Sequence, residues 1–169
     1  IFFIEDTAGK RVFSKVYTPG NDYKLDFKII NENFTSVNGY NLGINSGINL
    51  TENSKSAKKD KPMSFRIISQ INNKFEVRDL KSIKKYISKG EVKKAELSLN
   101  GHVDWAAVRS KYFTFAIIPE KRIESNNLLM SNQNDSPAFN LNVKYSNSQT
   151  LFEDKYQLYL GPIDYKRLE

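Results

Sequence analysis

The sequence feature that most constrains the fold is a strict alternation of apolar and charged residues over residues 23–29, which read Tyr-Lys-Leu-Asp-Phe-Lys-Ile. Because successive side chains of a β-strand point to opposite faces, this pattern predicts a strand with one buried and one solvated face. Residues 11–17 are also β-like, and residues 18–22 between the two segments form a compact cluster of turn residues. The two segments therefore predict an antiparallel hairpin.

Seven further segments have the length and composition of strands, namely 40–50, 64–71, 75–78, 93–99, 113–118, 139–145 and 151–160. The dipeptides Asn38-Gly39 and Asn100-Gly101 predict hairpin turns, because asparagine and glycine adopt positive φ at low cost. A chain of 169 residues with 11 Phe and 9 Tyr is long enough to bury one aromatic-rich core. We therefore expect residues 1–169 to form a single, mainly β, antiparallel sandwich domain.

One segment has helical spacing instead. Leu80, Ile83 and Ile87 recur at intervals of three and four residues, and Gly90 ends the pattern, which predicts one short amphipathic helix and one or two short helices in all. The lysine-rich face of this helix is interpreted as solvated, and a docking surface is the alternative. Segment 51–61 has four lysines and no apolar residue except an alanine, so it is predicted to be a mobile loop.

The inventory of reactive side chains argues against catalysis. There is no cysteine, which excludes disulfides, thiolate zinc sites and a thiol nucleophile. The only histidine, His102, is predicted to lie in a turn before a possible helix cap at Asp104, where a structural role is more common than general-base chemistry. The adjacent acidic pairs at 5–6 and 153–154 point to opposite faces of a strand and are interpreted as solvated surface. We expect no catalytic residue, metal or cofactor.

The formal net charge of +7 attracts anionic partners, which include nucleic acid, lipid headgroups and acidic proteins. Lys111, Tyr112 and Phe113 have a composition that can stack on single-stranded nucleic acid. They lead into an apolar strand, however, so we expect their rings to be packed and expect no nucleic-acid partner. The first four residues, Ile-Phe-Phe-Ile, are too few to span a membrane and predict a strand; a stub of a longer apolar segment is the alternative.

Two segments carry a family resemblance. Residues 105–119 read WAAVRSKYFTFAIIP and residues 159–168 read YLGPIDYKRL. They resemble two signatures of the periplasmic domain of YidC-type membrane protein insertases, in which a tryptophan precedes a Tyr-Phe core, the strand ends in Ile-Pro and the domain closes with Tyr-Leu-Gly-Pro. Ile163 departs from the pattern, in which lysine is more frequent, and the first 90 residues match only in general character. The positions that carry the resemblance, or continue its closing segment, are Trp105, Tyr112, Phe113, Pro119, Tyr159, Gly161, Pro162, Tyr165 and Leu168.

These residues also have a physical interpretation of their own. Trp105 is expected to be largely buried because of its size. Pro119 is expected to end its strand by withholding a hydrogen-bond donor, and Gly161-Pro162 to force a turn out of the last strand. The segment 161–169 is then expected to form a rigid exit from the domain, and a simple flexible linker is the alternative.

The resemblance implies a galactose-mutarotase-like β-supersandwich on the extracytoplasmic, periplasmic side of the inner membrane. It implies a parent protein that assists insertion and folding of membrane proteins, alone or with the Sec translocon. The implied partners are Sec translocon components, nascent membrane proteins and the inner-membrane bundle of the parent chain, toward which 161–169 leads. Two other functions stay open: a sugar-binding or mutarotase-like domain, and a basic nucleic-acid or membrane-surface binder.

Overall fold

A computed structural model describes residues 1–44, 66–71, 74–79, 101–110, 112–121, 123–133 and 136–163. The regular structure in these ranges is entirely β and comprises nine strands. They are β1 (Phe2–Glu5), β2 (Arg11–Pro19), β3 (Lys24–Ile44), β4 (Arg66–Ile71), β5 (Lys74–Asp79), β6 (Gly101–Arg109), β7 (Phe113–Pro119), β8 (Ile123–Gln133) and β9 (Ser136–Pro162). The predicted helix at 80–87, the loop at 51–61 and the strand at 93–99 lie outside the described residues.

The nine strands form one sheet in the order β1-β2-β3-β9-β7-β6-β4-β5, and β8 pairs with both β6 and β9. Every pairing between the described strands is antiparallel. The predicted mainly β, antiparallel architecture is therefore confirmed.

The sheet becomes a sandwich because the β3–β9 ribbon folds back on itself. The register of this pair is regular from Lys24 to Glu32, becomes irregular, and resumes at Gly39. On β9, the hydroxyl of Tyr145 lies 2.5 Å from a carboxylate oxygen of Asp154. Nine residues of extended strand would separate these groups by roughly 30 Å. The ribbon is therefore sharply bent, and β9 has a first arm before the bend and a second arm after it.

The core lies between the two halves of the bent ribbon. Twelve buried residues form a single cluster: Phe27, Ile29, Ile44, Val103, Ala106, Val108, Ile117, Ile123, Leu141, Val143, Tyr156 and Leu158. Phe27 and Tyr156 are register partners in one half, whereas Val143 is paired with Tyr40 in the other half. Burial of both sets in one cluster gives each half of the ribbon a face to pack against, which stabilises the fold by removing apolar area from water.

Strand β6 belongs to both halves of the sandwich. Its residues from Ala106 to Arg109 pair with β7, whereas Gly101 to Val103 pair with β8. Its pairing with β4 skips one residue, because Trp105 and Val103 are opposite consecutive residues of β4. The extra residue is Asp104, so a β-bulge bends the strand where it passes from one half to the other.

The predicted hairpin at the start of the chain is confirmed. β2 and β3 pair in regular register up to Pro19 opposite Leu25. The amide of Gly20 donates to the carbonyl of Lys24 at 3.0 Å, which closes the turn. Asp22 has a positive φ of 56°, as expected for a turn residue.

Three local predictions are wrong. Asn38-Gly39 is not a turn between strands, because both residues lie inside β3. Segments 139–145 and 151–160 are not separate strands but the two arms of β9. His102 and Asp104 lie within β6 and not in a turn before a helix. Residues typical of turns lie here at a bend or bulge of a long strand. Bends and bulges need the same conformational freedom as turns, so the local sequence does not distinguish them.

Candidate functional site

The sheet brings most of the motif residues together on three neighbouring strands. Ala116 of β7 lies opposite Ala107 of β6 and opposite Tyr159 of β9. These three residues form a second buried cluster, against which Trp105 and Ile118 pack. The two sequence signatures therefore meet in space. We call Trp105, Phe113, Tyr159, Gly161 and Pro162 the motif junction.

Tyr159 organises the end of β9. It is buried, and its hydroxyl donates a 2.7 Å hydrogen bond to the carbonyl of Pro162. Its ring covers Gly161 so closely that a Cβ there would lie 2.7 Å from the Tyr159 hydroxyl oxygen and 2.8 Å from Cβ of Tyr23. Only glycine fits between these two tyrosines without a shift of the chain.

The turn predicted at Gly161-Pro162 is wrong. β9 continues through Pro162, which is paired with Phe113, and the amide of Ile163 donates to the carbonyl of Tyr112 at 2.8 Å. Proline is tolerated at the end of a strand because its missing backbone N–H leaves only one inter-strand hydrogen bond unformed. The chain is therefore held in the sheet up to Ile163.

The other predicted site residues differ in their environment. Tyr112 and Phe113 are exposed, at 46% and 40%, so the prediction that their rings are packed is wrong. Both residues lie at the start of β7, beyond the second buried cluster. Trp105 is partly buried, so the burial predicted for it is incomplete. Pro119 ends β7 as predicted, but at the opposite end of that strand from Phe113. Tyr165 and Leu168 lie outside the described residues.

A second surface, which the sequence patterns did not indicate, is a cleft of about 880 Å³ between the two arms of β9. One wall is the connection from β7 to β8. The lining residues are Pro119, Glu120, Lys121 and Ile123 from that connection, Val143, Lys144, Tyr145 and Ser146 from the first arm, and Glu153, Asp154, Lys155 and Tyr156 from the second arm.

A network of tyrosines around one carboxylate joins the arms of the cleft. The hydroxyls of Tyr40 and Tyr145 both donate to Oδ2 of Asp154, at 2.7 and 2.5 Å. The hydroxyls of Tyr40 and Tyr156 are hydrogen-bonded to each other. The ring of Phe152 stacks on Tyr40 at a centroid distance of 5.9 Å and contacts Tyr145 at 5.2 Å. These contacts tie β3 to both arms of β9.

The electrostatics of this network keep the hydroxyls protonated. Burial raises the pKa of Tyr40 far above its ordinary value, and the hydroxyl of Tyr156 and the carboxylate of Asp154 raise it further. Burial, followed by the hydrogen bond to Asp154 and its charge, also raises the pKa of Tyr145. Burial is likewise the main cause of the raised pKa of Tyr156. The three tyrosines therefore act as hydrogen-bond donors and not as bases.

The rim of the cleft carries balanced charge. Lys155 lies 3.9 Å from Glu120 and 3.8 Å from Glu153, and Lys28 lies 3.3 Å from Glu153. These groups are substantially exposed, so their ion pairs contribute little to stability. The cleft offers donors, acceptors and aromatic rings to a bound molecule, which suits it to binding.

Sequence reasoning missed Asp154, although one signal was available. Phe152, Asp154, Tyr156 and Leu158 alternate along one face of β9, so a carboxylate on an otherwise apolar face requires a partner. The interpretation of 153–154 as solvated surface holds for the exposed Glu153 and is wrong for Asp154, which accepts two tyrosine hydroxyls.

The residues that the structure describes contain neither a candidate metal site nor a candidate membrane span. No three His, Asp or Glu side chains converge there as a metal site. His102 is exposed on β6. In the same ranges there is no helix with the length and apolar character needed to cross a membrane.

Together, the fold and these surfaces define a class, the mainly β, antiparallel sandwich domains. A model of the YidC periplasmic domain family matches residues 2–169, and the chain belongs to this family. Its relatives are membrane protein insertases, which are not a class of enzymes.

The chain is similar to three curated proteins named membrane protein insertase YidC. The protein from Chlorobaculum parvum is 26% identical over 174 residues, covering 98% of this chain and 28% of the relative. The protein from Chlorobaculum tepidum is 24% identical over 177 residues, covering 100% of this chain and 28% of the relative. The protein from Chlorobium luteolum is 32% identical over 74 residues, or 41% of this chain and 13% of the relative. The chain thus spans about 28% of the length of the first two.

Proposed function

We propose that residues 1–169 are the single extracytoplasmic domain of a membrane protein insertase, held at the periplasmic face of the inner membrane. The domain binds and positions partners and has no catalytic chemistry. The observation that carries the proposal is the family match over residues 2–169, together with insertase relatives that align with 98% and 100% of the chain. The parent protein assists insertion and folding of membrane proteins, alone or with the Sec translocon.

The motif junction supports a role in positioning. The backbone from Gly161 to Ile163 is held by pairing with β7, by the Tyr159 hydroxyl and by the carbonyl of Tyr112. A chain fixed in this way leaves the sheet in a set direction. In this proposal the exit segment 161–169, with Ile163 and Leu168 as apolar anchors and Tyr165 between them, fixes the domain relative to the membrane bundle of its parent.

The cleft between the arms of β9 is the proposed partner surface. Its partners are Sec translocon components and extracytoplasmic segments of nascent membrane proteins. The support is its size and its mixture of donors, acceptors and rings, which are the features of a binding site. Its three lysines and three carboxylates balance, so it has no excess charge to attract nucleic acid.

The positioning role is tested in the full-length parent. Replacing Tyr159, Pro162 and Tyr165 together by alanine removes the hydrogen bond at the exit and its aromatic packing. Insertion of a dependent substrate, compared at equal expression, should fall more than after deletion of residues 51–61. Tyr17→Phe is the control, because it removes a hydroxyl from an exposed ring on β2, a strand that contributes no residue to the junction. Normal insertion by the triple variant, with loss in the deletion variant, would remove the junction from the mechanism.

A second candidate function is carbohydrate binding in the cleft. The observation that favours it is the group of tyrosine hydroxyls around Asp154, since sugars are recognised by hydrogen bonds and ring faces. Mutarotation requires an acid and a base, and the raised pKa values of Tyr40 and Tyr145 keep both hydroxyls protonated, so that neither is available as the base and both are weak acids. Calorimetric titration with aldoses, and optical rotation for turnover, would separate binding from catalysis; no heat and no change in rotation would discard this function.

A further inference from the structure

β1 lies at the edge of the sheet that the described residues form, and it has apolar side chains on both faces. It is the last strand in the sheet order and has β2 as its one neighbour among the described strands. Ile1 is 67% exposed, Phe2 69%, Phe3 48% and Ile4 43%. Edge strands of monomeric proteins are commonly protected by lysine, proline or covering elements. β1 reads Phe-Phe-Ile-Glu and contains neither lysine nor proline.

A row of aromatic rings crosses the sheet and ends at this edge. Tyr156 and Phe27 are buried, with ring centroids 5.7 Å apart. Phe27 stacks on Tyr17 at 4.7 Å, and Tyr17 contacts Phe2 edge to face at 6.0 Å. The two outer rings are exposed. A strand added beside β1 with an apolar residue opposite Phe2 would continue the row.

We propose that the occupant of this edge is β1 of a second copy of the chain, paired antiparallel about a two-fold axis at Phe3. In this register Phe2 lies opposite the second copy's Ile4, and Phe3 lies opposite its own equivalent. Opposite residues of antiparallel strands share a face, so both pairings are apolar and residues 2–4 are self-complementary, whereas the next pair outward sets Ile1 opposite Glu5. A two-fold contact of this kind is closed, so it ends at a dimer.

The area available makes this dimer weak and reversible. A fully buried phenylalanine covers about 150–250 Å². The four apolar side chains of residues 1–4, each about half exposed, therefore offer on the order of 400 Å² per copy, about half of the roughly 800 Å² in a standard interface. Each copy carries a net charge of +7, and the two copies repel each other. Salt screens this repulsion, so the dimer should strengthen as salt is raised.

Sedimentation equilibrium of the 169-residue chain over a wide concentration range tests the proposal. We expect a reversible monomer–dimer equilibrium that tightens several-fold between low and high salt. Phe3→Lys places like charges opposite each other at the axis and should weaken it at least about 10-fold. Leu151→Lys is the control, since it adds the same charge at an apolar residue that is 67% exposed on β9. A monomer at all concentrations, equal effects of the two substitutions, or weakening by salt would overturn the proposal.

Cross-linking gives an answer that does not depend on how Phe3→Lys folds. The chain has no cysteine, so a single introduced cysteine can form a disulfide only with another copy. Directly opposite residues place their Cβ atoms about 4.5–5.5 Å apart, within reach of a short thiol cross-linker. Phe3→Cys should form a covalent dimer much faster than Leu151→Cys under the same conditions. Equal rates, or suppression of the Phe3→Cys product by an added apolar peptide at equimolar amounts, would assign the edge to another partner.

Discussion

Gly39 offers a sharp test of the bend in the β3–β9 ribbon. Its φ is +152°, and a Cβ added there would lie 2.0 Å from the carbonyl oxygen of Val143 and 3.1 Å from Cα of Lys144. Both contacts are with backbone atoms of β9, which cannot rotate away. Gly39→Ala therefore forces the two strands apart at the point where the ribbon resumes its pairing after the bend.

The magnitude follows from two contributions. Backbone strain at an unfavourable positive φ costs about 1–3 kcal/mol. Forcing an extra methyl into a filled space costs about 1–3 kcal/mol more. We expect Gly39→Ala to lower the free energy of unfolding by roughly 4 kcal/mol, and for a domain of this size to lower Tm by about 8–16 °C.

Gly9→Ala is the matched control. Gly9 also has a positive φ, +75°, but nothing lies within 4 Å of its added Cβ. This variant should lower the free energy of unfolding only by the cost of placing alanine at a positive φ, about 1–2 kcal/mol. Urea unfolding of both variants measures the two losses from the midpoint at constant m-value. Losses that agree within about 1 kcal/mol would refute the argument, because the close approach to β9 would then have no energetic consequence.

Three further predictions concern the core, the tyrosine network and the motif tryptophan. Leu141→Ala should lower the free energy of unfolding by about 2–5 kcal/mol, because Leu141 is fully buried, whereas Leu160→Ala, at a residue 49% exposed, should cost less than half as much in the same urea experiment. Because the pKa of Tyr40 is raised in the folded protein, the unfolded chain releases a proton above about pH 10 that the folded chain retains. Stability should therefore be insensitive to this group below about pH 9 and fall above pH 10, and the fall should be shallower in Tyr40→Phe; an unchanged slope would contradict the raised pKa. Trp105 is the only tryptophan and is partly buried, so iodide should quench its fluorescence less than that of free tryptophan but measurably; complete protection would contradict its partial exposure.

The strands were the most predictable part of the fold. The alternation over 23–29 and the turn residues at 18–22 specify a hairpin, since its contacts lie between neighbours along the chain. The bend of the ribbon was not predictable in this way. Residues 38–39 carry a strong local turn signal, yet they continue β3, because β9 supplies a pairing partner on both sides of the bend.

Of the two candidate surfaces, the motif junction was partly predictable from the sequence and the tyrosine network of the cleft was not. The residues of the motif junction were found from the sequence as two separate signatures, and the sheet then placed Trp105 and Tyr159 in one cluster. The exposure of Phe113 was not found, because an apolar run does not show where the sheet ends. The tyrosine network was missed entirely. Tyr40 and Asp154 are 114 residues apart, so no local pattern relates them.

Local information thus specifies which segments become strands, which faces are apolar and to which family the chain belongs, because strand periodicity, turn chemistry and family signatures are properties of contiguous residues. Tertiary structure alone decides that two strands bend together into a sandwich, that Asp154 becomes an acceptor between two layers, and that β1 lies at the edge of the described sheet. The physical reason is that burial and hydrogen bonding depend on which distant residues are brought close, and the free energy of those contacts is determined by the whole packed sheet and not by any one segment.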